Sequence, residues 1–431
     1  MSPRVVVVGG GAGGLELATR LGDKYGRRGR AHVTLVDRSR THLWKPLLHE
    51  VAAGSMDMHQ HQLDYLAQAR WHEFTFILGG LAGLDRGARH IAVEAVRDDE
   101  GREILPERRV PYDMLVIAIG SESNDFNTPG VRDHAFMLDN TWQAHLFHRR
   151  LVNECFRANF AASGEAIRIA IVGAGATGVE LAAELHNTTR VLAAYGLANF
   201  DPAKQIRLTL VEAGARILPG LPDHVADGAL KTLEDLGVEV LTNERVVEAK
   251  ATGLRTASGH EVAATFIVWA AGIRCGAVLK DLGGLESNRL NQLVVKPTLQ
   301  VTRDDDIFAI GDCAACPWIE GRLVPPRAQA AHQEASHVVR AFARRLAGKP
   351  LAAYRYRDFG SLVSLGNYET LGQLMGFIAS EKFRVEGWLA KFFYVSLYRQ
   401  HIWALHGFWG MALDTLSRMI RRQVEPKVKL H

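Results

Sequence analysis

The sequence predicts an α/β protein with two Rossmann-like units and a helical C-terminal region, and three observations carry that expectation. Residues 4–20 read RVVVVGGGAGGLELATR and residues 168–184 read RIAIVGAGATGVELAAE. Each is a short β-branched run, a glycine-rich turn and then an apolar-periodic helix. Each is also followed by a further strand that ends on an acid: residues 32–36 lead to Asp37, and residues 206–211 lead to Glu212. Finally, 431 residues exceed what one hydrophobic core accommodates, so more than one domain is expected.

Residues 74–78, 91–96 and 114–119 read as strands that complete the first unit. Beyond the second glycine turn, residues 238–241, 261–269 and 307–310 read as strands separated by turn residues. The segment 298–343 follows the second unit in the chain, yet its Gly311-Asp312 and the helix after it are assigned to the first, which makes the first domain discontinuous. The expected division is 1–125 with 295–345, then 160–290, then a C-terminal region from 346 to 431.

Composition narrows the classes of function. With 47% hydrophobic and 23% charged residues the chain is globular, and a net charge of +4 suits an anionic membrane surface or anionic cofactors. That charge is far too small to indicate nucleic acid, and no metal site is expected. Cys155, Cys275, Cys313 and Cys316 make no disulfide framework in a chain this long, so a reducing cytosolic compartment is the default. The first residues run directly into a strand and glycine loop without a leader-like apolar segment, so they do not read as a signal peptide. No stretch reaches the roughly 18 apolar residues of a spanning helix, so membrane contact would be made from the surface.

The glycine loops carry the chemistry. Gly9-x-Gly11-x-x-Gly14 follows a strand and opens a helix. In that context Gly9 permits the tight turn, Gly11 lets the backbone approach a pyrophosphate, and Gly14 lets helix and strand pack closely. The phosphates then meet unpaired N–H groups at the positive end of the helix dipole, and Asp37 can accept hydrogen bonds from a ribose. Gly173-x-Gly175-x-x-Gly178 repeats the arrangement with Glu212 as its acid, although residues 187–205 lengthen the separation. A carboxylate there bonds the 2′ and 3′ hydroxyls of NADH and repels the additional phosphate of NADPH, so NADH is the expected nicotinamide. Two such sites imply a flavin and a nicotinamide held face to face for hydride transfer. Their order follows from TRDDDIFAIGDC at 302–313: Asp312, after Gly311 at a strand end, can reach the ribityl hydroxyls that FAD has and NAD lacks.

These features together resemble the two-dinucleotide-binding-domain flavoproteins and, within them, the type II NADH:quinone oxidoreductases. The supporting stretches are HLWKPLLHEVAAG at 42–54, PRAQAAHQ at 326–333, GSLVSLG at 360–366 and SLYRQHIWALHG at 396–407. The resemblance implies FAD in the first domain and NADH in the second, and electron delivery to a membrane quinone in a respiratory chain without proton pumping. It further implies that Gly13 belongs to the flavin loop, that Lys45, Pro46 and Leu47 line the flavin, that Ala118 and Gly120 form a strand-end turn, and that Asp312 meets the ribityl chain. Ala328 and Gln329 would open a helix toward the flavin O2 and N1. Gln329 and Gln333 would mark the quinone site, Gly272 would join the NADH contacts, and Glu180 would orient the nicotinamide or relay protons. A homodimer, peripheral on the cytoplasmic side of the cell membrane, is the assembly implied.

Two alternatives stay open. Cys313-x-x-Cys316 invites comparison with sulfide:quinone oxidoreductase, where two cysteines flank the flavin, and Cys155 with Cys313 or Cys316 could supply such a pair. The stretch 38–64, where disulfide reductases place their pair, has no cysteine. A soluble NADH-dependent flavoprotein reductase without a quinone is the other. Against it stands the C-terminal region, in which Leu389, Phe392, Phe393 and Leu397 share one helical face and Leu413, Leu416 and Ile420 another, with Arg418, Arg421 and Arg422 beside them. Such helices suit the headgroup layer of an anionic membrane or, alternatively, the surface of their own domain or a second subunit.

Overall fold

The computed structural model describes residues 2–160, 165–195, 197, 199–365, 370–374, 383–421 and 428, with backbone alone for 361, 362, 364, 370–374, 383–397 and 421. The elements that place the site are, in chain order, β1 (Arg4–Val8), α1 (Ala12–Leu21), β2 (His32–Asp37), α2 (Leu48–Ala53), β3 (Thr75–Leu78), β4 (Met114–Ile117) and β5 (Ala135–Met137). They continue with α3 (Thr141–Phe160), β6 (Ile167–Val172), α4 (Ala176–Ala194), β7 (Ile206–Val211), β8 (Glu239–Leu241), β9 (Phe266–Trp269), β10 (Gln300–Val301), β11 (Asp304–Ala309), α5 (Ala328–Leu346) and α6 (Gly387–Arg421).

Two sheets organise the molecule, the second parallel throughout and the first parallel except for its antiparallel edge strand β10. The first has the order β10-β11-β4-β1-β2-β3, so β11, some 190 positions after β4 in the chain, pairs Leu115 with Ile307 at the sheet centre. The second runs β5-β9-β6-β7-β8, with Ala135–Met137 as its edge strand. Both β1 and β6 are almost wholly buried, as their unbroken Val and Ile runs require of central parallel strands covered by helices on both faces. Val5, Leu35, Leu115 and Phe308 belong to one core, Ile171, Leu181, Leu210 and Val268 to a second.

Two strand expectations differ from the structure. Residues 91–96 do not extend the first parallel sheet; His90–Val93 sits in an antiparallel meander with Leu81–Asp85 and Arg108–Pro111. Its alternating burial is that of a sheet with one covered face. Residues 261–269 are two strands in different sheets: Glu261–Ala263 is an antiparallel edge, and the chain then turns into fully buried β9. The C-terminal helix α6 is likewise two helices, broken where Gly407 takes a φ of 71°. Among the described residues no helix is long and apolar enough to cross a membrane.

Candidate active site: two nucleotide cradles

The two glycine turns have the same internal wiring. The Gly9 N–H donates to the Val36 carbonyl at 2.8 Å, and the Gly173 N–H donates to the Val211 carbonyl at 2.8 Å. Asp37 accepts from the N–H groups of Gly10 (2.6 Å) and Ser39 (2.7 Å); Glu212 accepts from those of Ala174 (2.8 Å) and Gly214 (2.7 Å). Each acid is thus anchored across the mouth of its own loop with lone pairs still free for hydroxyls. Burial raises the Asp37 carboxyl above its ordinary value, against the lowering by the Gly10 and Ser39 amides.

Sterics make the glycines obligatory and leave room for a ligand. A Cβ on Gly14 would lie 1.8 Å from the Gly9 carbonyl oxygen, and one on Gly178 would lie 2.0 Å from that of Gly173. These are the close helix–strand contacts of a dinucleotide fold. Gly13 backs onto the Ala331 carbonyl of α5, so the helix after Gly311 packs directly on the first loop. The middle glycines, Gly11 and Gly175, have nothing within 4 Å of where a Cβ would stand, and neither has Gly120. The helices that begin beside them, α1 and α4, and also α5 after Arg327, start without any side-chain cap. Open space next to uncapped N–H groups is what a pyrophosphate or an anionic ring edge needs, so the residues present fit FAD in the first cradle and a nicotinamide dinucleotide in the second.

Other expected flavin residues converge on the first cradle. The Ala118 N–H donates to the Val8 carbonyl at 2.7 Å, which brings the strand-end turn against the glycine loop. Lys45 Nζ donates to the Ser121 carbonyl (2.7 Å), while Ser121 Oγ donates to Asp312 Oδ2 (2.6 Å), so Lys45 and Asp312 meet through one serine. Lys45, Pro46 and Leu47 form a single helical turn that leads into α2. From α2, His49 faces Glu180 of α4 at 3.7 Å, joining the first unit to the helix that follows the second glycine loop. Both are buried, and burial holds the His49 imidazole down to about 4, so this histidine is neutral at physiological pH. Gly272, with a φ of 61°, lies beside Gly173's neighbour Ala271 and under the Phe126 ring.

Gln329 and Gln333 are engaged with backbone. Gln329 Nε2 donates to the Gly360 carbonyl (2.8 Å) and its Oε1 accepts from the Phe359 N–H (3.1 Å). Gln333 makes the same double bond with Arg357, at 2.8 and 3.0 Å. The two side chains therefore fasten residues 357–360 along the first turns of α5.

Several site residues escaped sequence reasoning. Tyr65 donates its hydroxyl to the Gly10 carbonyl at 2.7 Å and fills the space above Gly10. Glu334, 1% exposed, accepts the Gly311 N–H at 2.5 Å, and burial pushes its carboxyl up to about 8, with Asp312 adding to the rise. The only local hint was its place in the PRAQAAHQ helix, one residue beyond Gln333. The cysteines are all buried thiols: burial raises Cys155, Cys313 and Cys316 to about 12 and Cys275 higher still. Cys313 donates to the carbonyls of Ile117 and Ile310, the behaviour of a small core residue.

Paired cradles of this form, each with an acid held across its glycine loop and the first with Asp312 joined to Lys45 through Ser121, define the class of nucleotide-dependent redox flavoproteins. The chain matches the pyridine nucleotide-disulphide oxidoreductase family over residues 3–335. It is 46% identical to the type II NADH:quinone oxidoreductase of Haemophilus influenzae, with 99% of each chain covered. It is 30% identical to that of Staphylococcus aureus, with 86% of this chain and 90% of the relative covered. The chain belongs to the type II NADH:quinone oxidoreductase family. Its fold is similar to that of the solved structure of NDH2 from Plasmodium falciparum in complex with NADH, with 17% identity, 100% of each chain covered and a TM-score of 0.82. It is also similar to that of the sulfide:quinone oxidoreductase from Aquifex aeolicus, with 18% identity, 99% and 96% covered and a TM-score of 0.71.

Proposed function

We propose that the chain takes a hydride from NADH and delivers two electrons to a membrane quinone, from a peripheral position on the cytoplasmic side and as a homodimer. The observation that carries this reading is the duplicated cradle, Gly9 with Asp37 and Gly173 with Glu212, in one polypeptide. Bound FAD would supply the two-electron chemistry, accepting hydride and yielding electrons singly or in pairs. Gly11 and the first turn of α1 would hold its phosphates, Asp37 its ribose, and Asp312 its ribityl chain, with Lys45, Pro46, Leu47, the Ala118–Gly120 turn and the start of α5 around the ring. Gly175 and Glu212 would hold NADH, and the Glu212 carboxylate would exclude a 2′-phosphate. Glu180 stands at the junction, where its carboxylate would orient the nicotinamide amide or pass protons toward the reduced quinone. Gln329 and Gln333 would contribute a wall to the quinone site by fixing residues 357–360.

Peripheral attachment is supported by the second half of α6, where Phe408, Trp409, Leu413, Leu416, Met419 and Ile420 are all exposed. Arg418, expected beside them as a lipid contact, instead pairs with Asp414 (2.7 Å) and the Tyr398 hydroxyl (2.7 Å). Arg422 and the side chains of Leu389, Phe392, Phe393, Leu397 and Arg421 lie outside the described residues. Dimerisation is carried over from the family resemblance.

The discriminating assay is reduction of a short-chain quinone by purified protein. The expected result is rapid turnover with NADH, turnover slower by at least about tenfold with NADPH, and unchanged NADH activity when all four cysteines are replaced by serine. Loss of activity in that cysteine-free variant would transfer the reading to cysteine-dependent sulfide chemistry.

A further inference from the structure

A chain of histidines ties the C-terminal helices to the first glycine loop. His42 Nδ1 bonds the Gly10 carbonyl at 2.9 Å, and His42 Nε2 bonds His401 Nε2 at 2.9 Å. A carbonyl only accepts, so His42 carries its proton on Nδ1 and presents the Nε2 lone pair. His401 must then donate from Nε2, which leaves its Nδ1 a bare acceptor. That atom is buried and has no hydrogen-bond partner among the described residues; the same holds for Nε2 of His332. The two rings stand 5.4 Å apart between centroids. Trp44, directly before Lys45, packs against both, tilted at 4.3 Å from His401 and stacked at 5.5 Å from His332.

His401 and His406 occupy the last turns before the break at Gly407, after which the exposed apolar helix begins. The junction thus rests on the Gly10 peptide on one side and on Trp44 on the other. We propose that the His42–His401 pair is a latch: it holds the junction of the two C-terminal helices to the flavin-side loop, so docking of the helices and the position of Trp44-Lys45 are set together. This rests on the reading of the first cradle as the flavin site.

The latch requires neutral imidazoles. A proton on His42 Nε2 would set N–H against N–H unless His401 moved its own proton to Nδ1, where no acceptor stands among the described residues, and in either case a charge would lie in a buried ring. The groups facing the pair reinforce this. From α5 comes His332, bonded to Glu16 of α1, with Arg20 also on Glu16. From the helix Tyr65–Trp71 comes Tyr65, 6.4 Å from the His42 ring, and from their own helix His406, which accepts from Gln68 and lies 6.4 Å from His72. His72 in turn bonds Asp23. Burial lowers His42 to about 4 and drives His401 well below its ordinary value, and His332 lowers both further. Because the docked pKa is depressed, docking is at full strength above the free imidazole value of 6.5 and weakens as pH falls from 6.5 toward 4. One histidine released from about 4 to 6.5 weakens docking about tenfold between pH 7.5 and 5.5.

The test is hydrogen exchange on the purified flavin-loaded protein, corrected for intrinsic rates, with flavin release followed in parallel. Peptides covering 40–48 and 398–421 are expected to open together, about tenfold more often at pH 5.5 than at 7.5, with flavin release rising alongside. His401→Phe keeps the ring on Trp44 but strands the His42 lone pair, so opening is already raised at pH 7.5. His401→Gln keeps a donor and can turn its amide to accept from a protonated His42, so opening stays low at pH 7.5 and rises less than in wild type at pH 5.5. Exchange in wild type that does not change with pH, independent opening of the two segments, or a Phe variant identical to wild type would overturn the latch. A chain that binds no flavin would end the flavin reading, while exchange in the two segments would still decide the latch.

Discussion

Glu180 carries the sharpest expectation for a single side chain. It is buried against a neutral histidine at the meeting of the two units, and Glu180→Gln preserves its size while removing its charge. Turnover should fall by at least about tenfold with flavin content unchanged, as steady-state rates and absorbance on the same sample will show; unchanged turnover would leave it an ordinary helix glutamate. Glu334 makes a different statement. Its carboxyl, pushed up to about 8 in the fold from an ordinary 4.5, is held protonated, so the folded protein binds a proton that the unfolded chain has lost. Stability is therefore highest below 4.5 on this account and declines as pH rises to about 8, by on the order of 3 kcal/mol between pH 5 and 8. Glu334→Gln retains an acceptor for Gly311 and should flatten that decline in thermal melts; a parallel decline in the variant would contradict the assignment. The acids at the strand ends, Asp37 and Glu212, were legible because strand, glycine turn and acid are neighbours in sequence or at fixed offsets. Tyr65, Glu334 and His401 were not, since each acts on a backbone or ring supplied by a remote segment; His42 and His401 are separated by 359 positions.

Elements were legible where hydrophobic period and punctuation agreed. β1, α1, β6 and α4 follow directly from a β-branched run, three spaced glycines and an apolar face. The apolar stretch 261–269 hid a sheet change, because a fully buried strand and a half-buried one read alike when joined by Ala264 and Thr265. The C-terminal helices were seen as two apolar faces, but the break needs the left-handed backbone of Gly407, which a helical pattern does not disclose. That break frees residues 408–421 to lie along a surface. Trp409→Glu with Leu413→Glu removes about 4 kcal/mol of apolar burial from such a helix, so membrane partitioning should fall by on the order of a thousandfold in vesicle flotation, with soluble NADH oxidation retained. Full retention on anionic vesicles would assign this face to protein contact instead.

At the scale of the molecule, discontinuity is the organising feature. The first sheet is closed by β11 only after the whole second unit has been made, and Gly311-Asp312 then arrives beside Lys45 and the first loop. The sequence reading expects this order, because the role proposed for Asp312 needs it next to the first cradle. The stacking of the C-terminal region on the first unit through Trp44 and the histidines had no such signature. What the molecule builds is a pair of matching glycine loops whose units meet at Glu180 and His49, an arrangement that would place a reducible ring against a nicotinamide. The most direct measurement is the visible absorbance of the purified protein during sequential additions. The expected record is a flavin spectrum that bleaches on one equivalent of NADH and returns on a quinone analogue. A protein that stays colourless after reconstitution with FAD, or whose flavin bands do not respond to NADH, would contradict the account.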